Sequence, residues 1–171
     1  MTTPTANDGL HQMMMKAICQ SIANTFEQMV FVPVTVGEPI QKVEGHPTGC
    51  ISGTIGLTGT HNSSTVEIRS KLSLIFSEEL AIKIFRGMMM MDETTPVEMA
   101  ELRDVVGELT NMTAGGAKTL LSNEGFKLSL SLPTVAVGHD HYLGAPSGIA
   151  YSMVVPVGFN ESTFFIELSV S

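Results

Sequence analysis

Glu108 and Asn111 stand three residues apart in the run Asp104-Val-Val-Gly-Glu108-Leu-Thr-Asn111. In a helix both side chains leave one face a turn apart, and Asp104, four residues before Glu108, joins them. A carboxylate so placed can hold a cationic partner through a charge-assisted hydrogen bond. A carboxamide carries a donor and an acceptor and does not titrate, so it suits orienting a water rather than moving a proton. A lone Glu-x-x-Asn is an ordinary solvated helix face, but two features distinguish this one. Glu101, Asp104 and Glu108 share the face with Lys118 as the nearby base, a spacing that disfavours the helix by itself. Gly115-Gly116 then follow in the helix interior, where each glycine costs about 1 kcal/mol against Ala. Glycine there predicts a close approach by another backbone.

A helix must carry this face. Projecting residues 98–122 at about 100° per residue puts Leu102, Val105, Val106, Leu109, Met112 and Leu120 on one side. Glu101, Asp104, Glu108, Asn111, Lys118 and Ser122 fall on the other. The first set is expected to pack on a sheet and the second to face outward. Thr95 reads as the helix cap, with Pro96 at the first helical position and Glu98 completing a capping box. The helix is expected to reach about Ser122 and to stop near Asn123-Glu-Gly125.

Two more helices precede it. Apolar residues at helical spacing (Met14, Ile18, Ile22, Phe26, Met29) predict one from about Gly9 to Met29, after a disordered tail at residues 1–8. Ser77, followed by Glu78 and Glu79, caps the other, which runs through Leu80, Ile84 and Phe85 to Met88–Met91. That methionine run is expected to pack the core at the helix end, with an adaptable partner surface as the alternative.

Strands are expected at 32–36, 50–57 and 64–72, the last two joined by Thr58–Ser63, and residues 38–49 read as a connection. Further strands are expected at 127–132, 134–137, 149–157 and 163–170, with a loop over 139–147 and a closing turn at 158–162. Val66, Ile68 and Ser70 alternate with Glu67, Arg69 and Lys71, which fits a half-exposed hairpin. No internal boundary appears. The expected fold is α+β, a single domain over residues 9–171 with a mostly antiparallel sheet covered on one side by long helices.

Nine Lys and Arg against 17 Asp and Glu leave a net charge of −8, which disfavours nucleic acid as a partner. No signal peptide or apolar run long enough for a membrane helix is visible, so the expected location is the cytoplasm, without membrane insertion. Cys19 and Cys50 lack metal-ligand spacing and read as buried free thiols. His139-Asp-His141 could seed a metal site, but no further ligand lies near in sequence, so no metal is expected. His11, His46 and His61 are expected in exposed or loop positions. No Ser/His/Asp or Cys/His arrangement is evident.

The run Asp104-Val-Val-Gly-Glu108-Leu-Thr-Asn111-Met-Thr-Ala-Gly-Gly-Ala-Lys-Thr-Leu resembles the signature helix of the CheC/CheX/FliY family. That signature has an Asp or Ser, then Glu, then Asn at these spacings, followed by small residues. The family also places a proline further on, opening a strand, and Pro133 in Leu-Ser-Leu-Pro-Thr-Val matches it. Ile51-Ser-Gly-Thr-Ile-Gly-Leu and Phe76-Ser-Glu-Glu-Leu-Ala also resemble the family, and the likeness covers roughly residues 10–170. Some relatives carry two such helices. Here the first helix reads Ser21-Ile-Ala-Asn-Thr-Phe-Glu27-Gln-Met-Val30, with valine where the second asparagine would stand. One active site is therefore implied, and a structural or dimer-related role for the first helix.

The resemblance implies a phosphatase for the aspartyl phosphate of a CheY-like response regulator. That regulator supplies its own Mg²⁺ and lysine, so this chain is expected to need no cofactor of its own. Glu108 would anchor the regulator and Asn111 would orient the hydrolytic water. Asp104, Gly115 and Lys118 are expected to touch the partner. A homodimer is expected, because relatives associate through strand edges. Two alternatives stay open: a non-catalytic regulator-binding or flagellar-switch adaptor, and a phosphatase for a regulator outside chemotaxis.

Overall fold

The inward side of helix α1 (Ala6–Met29) is mostly apolar, and its Met14, Ile18, Ile22 and Phe26 are fully enclosed, with Ser21 and Thr25 buried among them. The computed structural model describes residues 6–144 and 151–170. The helix begins at Ala6 rather than Gly9, so the expected tail is shorter than residues 1–8; residues 1–5 lie outside the described chain. Phe26 stacks on Phe164 at 5.0 Å and meets Phe159 edge-on at 5.8 Å, while Phe76 also stacks on Phe164 at 4.8 Å. Burying each such side chain contributes about 1.5–3 kcal/mol.

After α1 come β1 (Thr35–Val36), β2 (Ile40–Gln41), β3 (Gly49–His61), β4 (Ile68–Phe76), α2 (Glu78–Met89) and α3 (Met99–Asn123). The chain then returns through β5 (Phe126–Leu130), β6 (Thr134–His141), β7 (Tyr151–Phe159) and β8 (Ser162–Val170). The strands form one eight-stranded sheet in the order β1-β7-β8-β4-β3-β5, with β2 also on β7 and β6 also on β3. Every pairing is antiparallel. This is the α+β architecture expected, with the helices on one face.

Strand β3 is the spine. Residues 51–59 pair with β4 on one side, while 57–61 pair with β5 and 49–54 with β6 on the other. That second partner explains why the strand runs on through Thr58–His61, where polar residues had suggested a turn. The actual turn falls at 62–67. Gly59 makes the pairing possible, because a Cβ there would strike the Lys127 carbonyl of β5. Likewise β6 takes in His139–His141, expected as loop, because Gly49 of β3 pairs with His141. The strand expected at 32–36 shrinks to Thr35–Val36, and β2 emerges inside the expected connection, both as short partners of β7.

The helix-facing side of the sheet is apolar: Ile51, Ile55 and Leu57 of β3, Leu72, Leu74 and Phe76 of β4, and Phe164, Ile166 and Leu168 of β8 are all buried. The opposite side is not left to water. Lys42, just past β2, reaches Glu167 of β8 at 2.7 Å, with 9% and 4% of the two side chains exposed. The same ammonium donates to the Leu143 carbonyl, so the chain leaving β6 crosses this outer face. Ser152 and Ser169 donate to Glu167 Oε1 at 3.2 and 3.1 Å, and Ser52 bonds His141 Nε2 at 2.5 Å. The outer face thus holds a buried polar cluster around Glu167, tied down by the ion pair to Lys42, beside the buried apolar Ile75 and Val154.

A buried ion pair costs most when broken from one side. Lys42→Met should destabilise the protein by about 3–5 kcal/mol in urea denaturation, because Glu167 stays buried without its cation. The double variant Lys42→Met/Glu167→Leu should recover much of that loss. A double variant as unstable as the single one would show that the charge pair is not what holds the layer.

Candidate active site

Helix α3 begins later than its sequence suggested. Thr95 does not cap it, because the helix starts only at Met99; the Thr95 carbonyl instead accepts from Arg86 of α2, whose Nη2 and Nε donate at 2.7 and 3.2 Å. The cap shifts to Glu98, whose N–H donates to the Glu101 carboxylate at 2.8 Å, so the capping box lies at 98/101 rather than 95/98. The C-terminal end falls where expected, with Gly125 at φ +92. Ser77 caps α2 as expected, accepting from the Leu80 N–H at 3.2 Å.

The buried stripe of α3 is Leu102, Val105, Val106, Leu109, Thr110, Thr113, Ala114, Ala117 and Leu121. Met112 and Leu120, expected inside, are only half-buried. The two threonines escaped the sequence reading because hydroxyls look polar. Each satisfies its hydroxyl within the helix instead: Thr110 donates to the Val106 carbonyl and Thr113 to the Leu109 carbonyl, both at 2.7 Å. Small and β-branched side chains on this side let the helix lie low on β3 and against α1.

The opposite stripe carries the candidate residues. Asp104, Glu108, Asn111 and Lys118 are all exposed, one above another along the helix. Among the described residues the Glu108 and Asn111 side chains make no hydrogen bond or ion pair. The neighbouring Thr110 is fully buried. The pair therefore stands on a fixed base with its polar atoms uncommitted, as a docking surface requires.

The two glycines separate. A Cβ at Gly116 would overlap Ser21 Oγ of α1, whose hydroxyl donates to the Thr113 carbonyl at 2.7 Å. Gly116 is thus the close approach between two helices, made to a side chain rather than to backbone. A Cβ at Gly115 would meet nothing within 4 Å. Packing inside this chain does not account for Gly115, which lies one turn beyond Asn111 on the candidate face.

Other candidates fall away from α3. The cavity of about 310 Å³ between α1 and the β1, β7 and β8 strands is lined by His11, Met15, Lys16, Cys19, Met153 and Leu168 among others, and no α3 residue reaches it. Burial, with the Glu38 charge second, pushes the Cys19 thiol up to about 11, so it is no activated nucleophile. Cys19 and Cys50 are half-buried free thiols, less enclosed than expected. His141 Nδ1 donates to the Gly138 carbonyl at 2.9 Å and its Nε2 bonds Ser52 Oγ, so the ring serves the outer face. Of the methionine run, Met88 and Met91 pack on the core, while Met89 and Met90 are exposed, Met90 by 81%. Just past α1, Val30 is buried beside Gly87 of α2, which gives that position a packing role.

The family model described as Chemotaxis phosphatase CheX matches residues 51–157, which span β3 through most of β7 and the whole of α3. The chain belongs to the CheX family. It is 28% identical over 154 residues to the CheY-P phosphatase CheX of Thermotoga maritima, covering 90% of this chain and 93% of that one. A CheC-like superfamily protein from Shewanella sp. PV-4 superposes with a TM-score of 0.79 at 29% identity, over 93% of this chain and 97% of its own. A CheX from Borrelia burgdorferi, solved as a complex with CheY, BeF₃ and Mg²⁺, has the same fold at 16% identity, with a TM-score of 0.70 over 91% of this chain and 96% of its own. The recognised CheX segment carries Asp104, Glu108, Asn111, Gly115 and Lys118 together on α3.

These placements separate binding surface from scaffold. Glu108→Ala and Asn111→Ala should each change folding stability by no more than about 0.5 kcal/mol. Gly115→Ala should stabilise by about 1 kcal/mol, since nothing opposes the new methyl. Gly116→Ala should destabilise by about 1–3 kcal/mol by displacing Ser21. Urea denaturation of the four variants checks the set. Equal effects at the two glycines would contradict the packing described.

Proposed function

We propose that this CheX-family chain hydrolyses the aspartyl phosphate of a CheY-like response regulator, using α3 as an inserted ridge. The observation that carries the reading is the Glu108/Asn111 pair, exposed and uncommitted on a helix whose other side is locked. An acyl phosphate is already activated, so hydrolysis asks mainly for one water placed in line with phosphorus. Water oxygen bonds to phosphorus, the bond from phosphorus to the aspartyl oxygen breaks, and inorganic phosphate leaves a free carboxylate. Asn111 holds that water, accepting from it through the carboxamide oxygen or donating through the nitrogen. Glu108 pairs with the regulator's active-site lysine and so fixes the depth of insertion. Asp104 and Lys118 flank the contact, and Gly115 leaves room for partner backbone.

On this reading the chain brings no metal or other cofactor, the Mg²⁺ being the regulator's, and it works in the cytoplasm beside that regulator. The reading is supported by family membership, by the Thermotoga relative named as a CheY-P phosphatase, and by the placement of the pair. A pure adaptor would have no use for an uncommitted Asn111 on the exposed face of α3.

The two residues should fail differently. Asn111→Ala should lower the single-turnover dephosphorylation rate on the order of 100-fold, while affinity for a regulator carrying a phosphoryl mimic persists. Glu108→Ala should lose about 1.5–3 kcal/mol of that affinity, the worth of a hydrogen bond to a charged group, and the rate with it. An Asn111→Ala chain that dephosphorylates at the wild-type rate would remove the enzymatic reading and leave the adaptor.

We also propose a homodimer. Strand β6 pairs with β3 alone, its other edge being unpaired among the described residues, and Leu132 and Val137 beside it are exposed. Light scattering at micromolar concentration should give about twice the 18.3 kDa of one chain. A monomer mass there would reject the dimer without touching the phosphatase reading.

A further inference from the structure

Two glycines, one in β3 and one in α3 itself, set how closely the sheet and α1 approach α3 on either side of Asn111. The first is Gly53, in the middle of β3. A Cβ there would overlap Thr110 Oγ1 and lie 3.1 Å from both Thr110 Cβ and Val106 Cγ1. Thr110 cannot easily yield. It is β-branched, fully buried, and its hydroxyl is tied to the Val106 carbonyl at 2.7 Å. Nor can the strand retreat, because Gly53 is paired on both sides, with Leu74 of β4 and Val135 of β6. The second is Gly116, whose missing side chain admits Ser21 of α1 to the Thr113 carbonyl. Thr110 precedes Asn111 and Thr113 lies two residues beyond it, so the helix is held from the sheet and from α1 at the point where it presents the carboxamide.

We propose that Gly53 and Gly116 are positioning residues, which set the height and roll of α3 and thereby the reach of Asn111 into the regulator. This rests on the phosphatase reading. Any side chain at Gly53 must lift or roll the helix, and a displacement of about 1 Å at a reacting group can cost a factor of about 100 in rate. Glu108 should suffer less. Its longer side chain can swing to keep a lysine contact, whereas the short carboxamide must hold a water at a fixed place.

The test compares wild type, Gly53→Ala, Thr110→Ala and the double variant Gly53→Ala/Thr110→Ala against a phosphorylated CheY-like regulator. The double variant removes the hydroxyl that the new methyl would strike. Gly53→Ala should lower the single-turnover rate by about 10- to 100-fold, with affinity for the BeF₃⁻-bound regulator changed much less, and the double variant should recover most of the rate. Folding of each variant is checked by circular dichroism. Should Gly53→Ala fail to fold, Gly116→Ala and its partner variant Gly116→Ala/Ser21→Ala make the same comparison at the second contact. A folded Gly53→Ala chain with the wild-type rate overturns the proposal, as does a double variant that stays slow while Thr110→Ala alone is active. The side-chain amide resonances of Asn111, read by NMR without any regulator, should shift in Gly53→Ala and return in the double variant. Unmoved resonances would sink the positioning role even if the wild-type chain hydrolysed nothing. A wild-type chain without phosphatase activity, but with those resonances shifted and restored, would sink the phosphatase reading and leave the placement standing.

Discussion

Everything at the candidate site depends on α3 burying one complete side while leaving the other bare. A 25-residue helix containing three glycines and an acidic outer face would not hold itself together in water. Its nine buried residues do that work, packed on β3, β5 and α1. Because tertiary burial rather than intrinsic propensity holds the helix, the outer stripe is released from any duty to stability. It can keep like charges one turn apart at Asp104 and Glu108, and a glycine at 115 with nothing against it. Each costs a few tenths to about 1 kcal/mol, small beside the burial on the other side.

The same logic runs down into the sheet. A helix can be held to a fraction of an ångström only by something stiffer than itself. Strand β3 is paired along both edges beneath α3, by β4 on one side and by β5 and β6 on the other. The far side of that sheet is sealed in turn by Lys42, Glu167 and the serines around them. Glu167 Oε2 has no partner among the described residues and is buried. Such a group is costly to leave dry, so the layer is specified tightly or hydrated there.

The sequence showed the helix, its outward residues and the α+β plan, because period and capping chemistry are local. Leu102, Val106 and Leu109 mark the inner face, and opposite to them Glu108 and Asn111 have to be outside. What stayed hidden depends on residues far apart in the chain. Thr95 yields the cap to Glu98, three residues on, and its carbonyl accepts from Arg86 of another helix. His139–His141 become strand only because β3 offers them an edge. Thr110 and Thr113 read as polar until their hydroxyls are seen to return to their own helix. The glycine doublet could be noticed but not divided, since only Ser21, 95 positions before Gly116, tells one from the other. Lys42 and Glu167, 125 positions apart, gave no hint of each other.

The largest cavity among those described lies between α1 and the sheet, not at the Glu108/Asn111 ridge. For an enzyme acting on a small molecule that separation would count against the ridge, since such sites are concave. A phosphoryl group carried on another protein reverses the requirement. It already sits in its own cleft with its own charge-neutralising groups, so what acts on it has to protrude. A protruding side chain is normally a mobile one, with rotamers to lose on docking. Asn and Glu set on a buried, doubly seated helix confine that loss to the side chains alone, because the backbone beneath them is already fixed. An exposed helix face on a rigid backbone is therefore what to expect when the pocket belongs to the substrate.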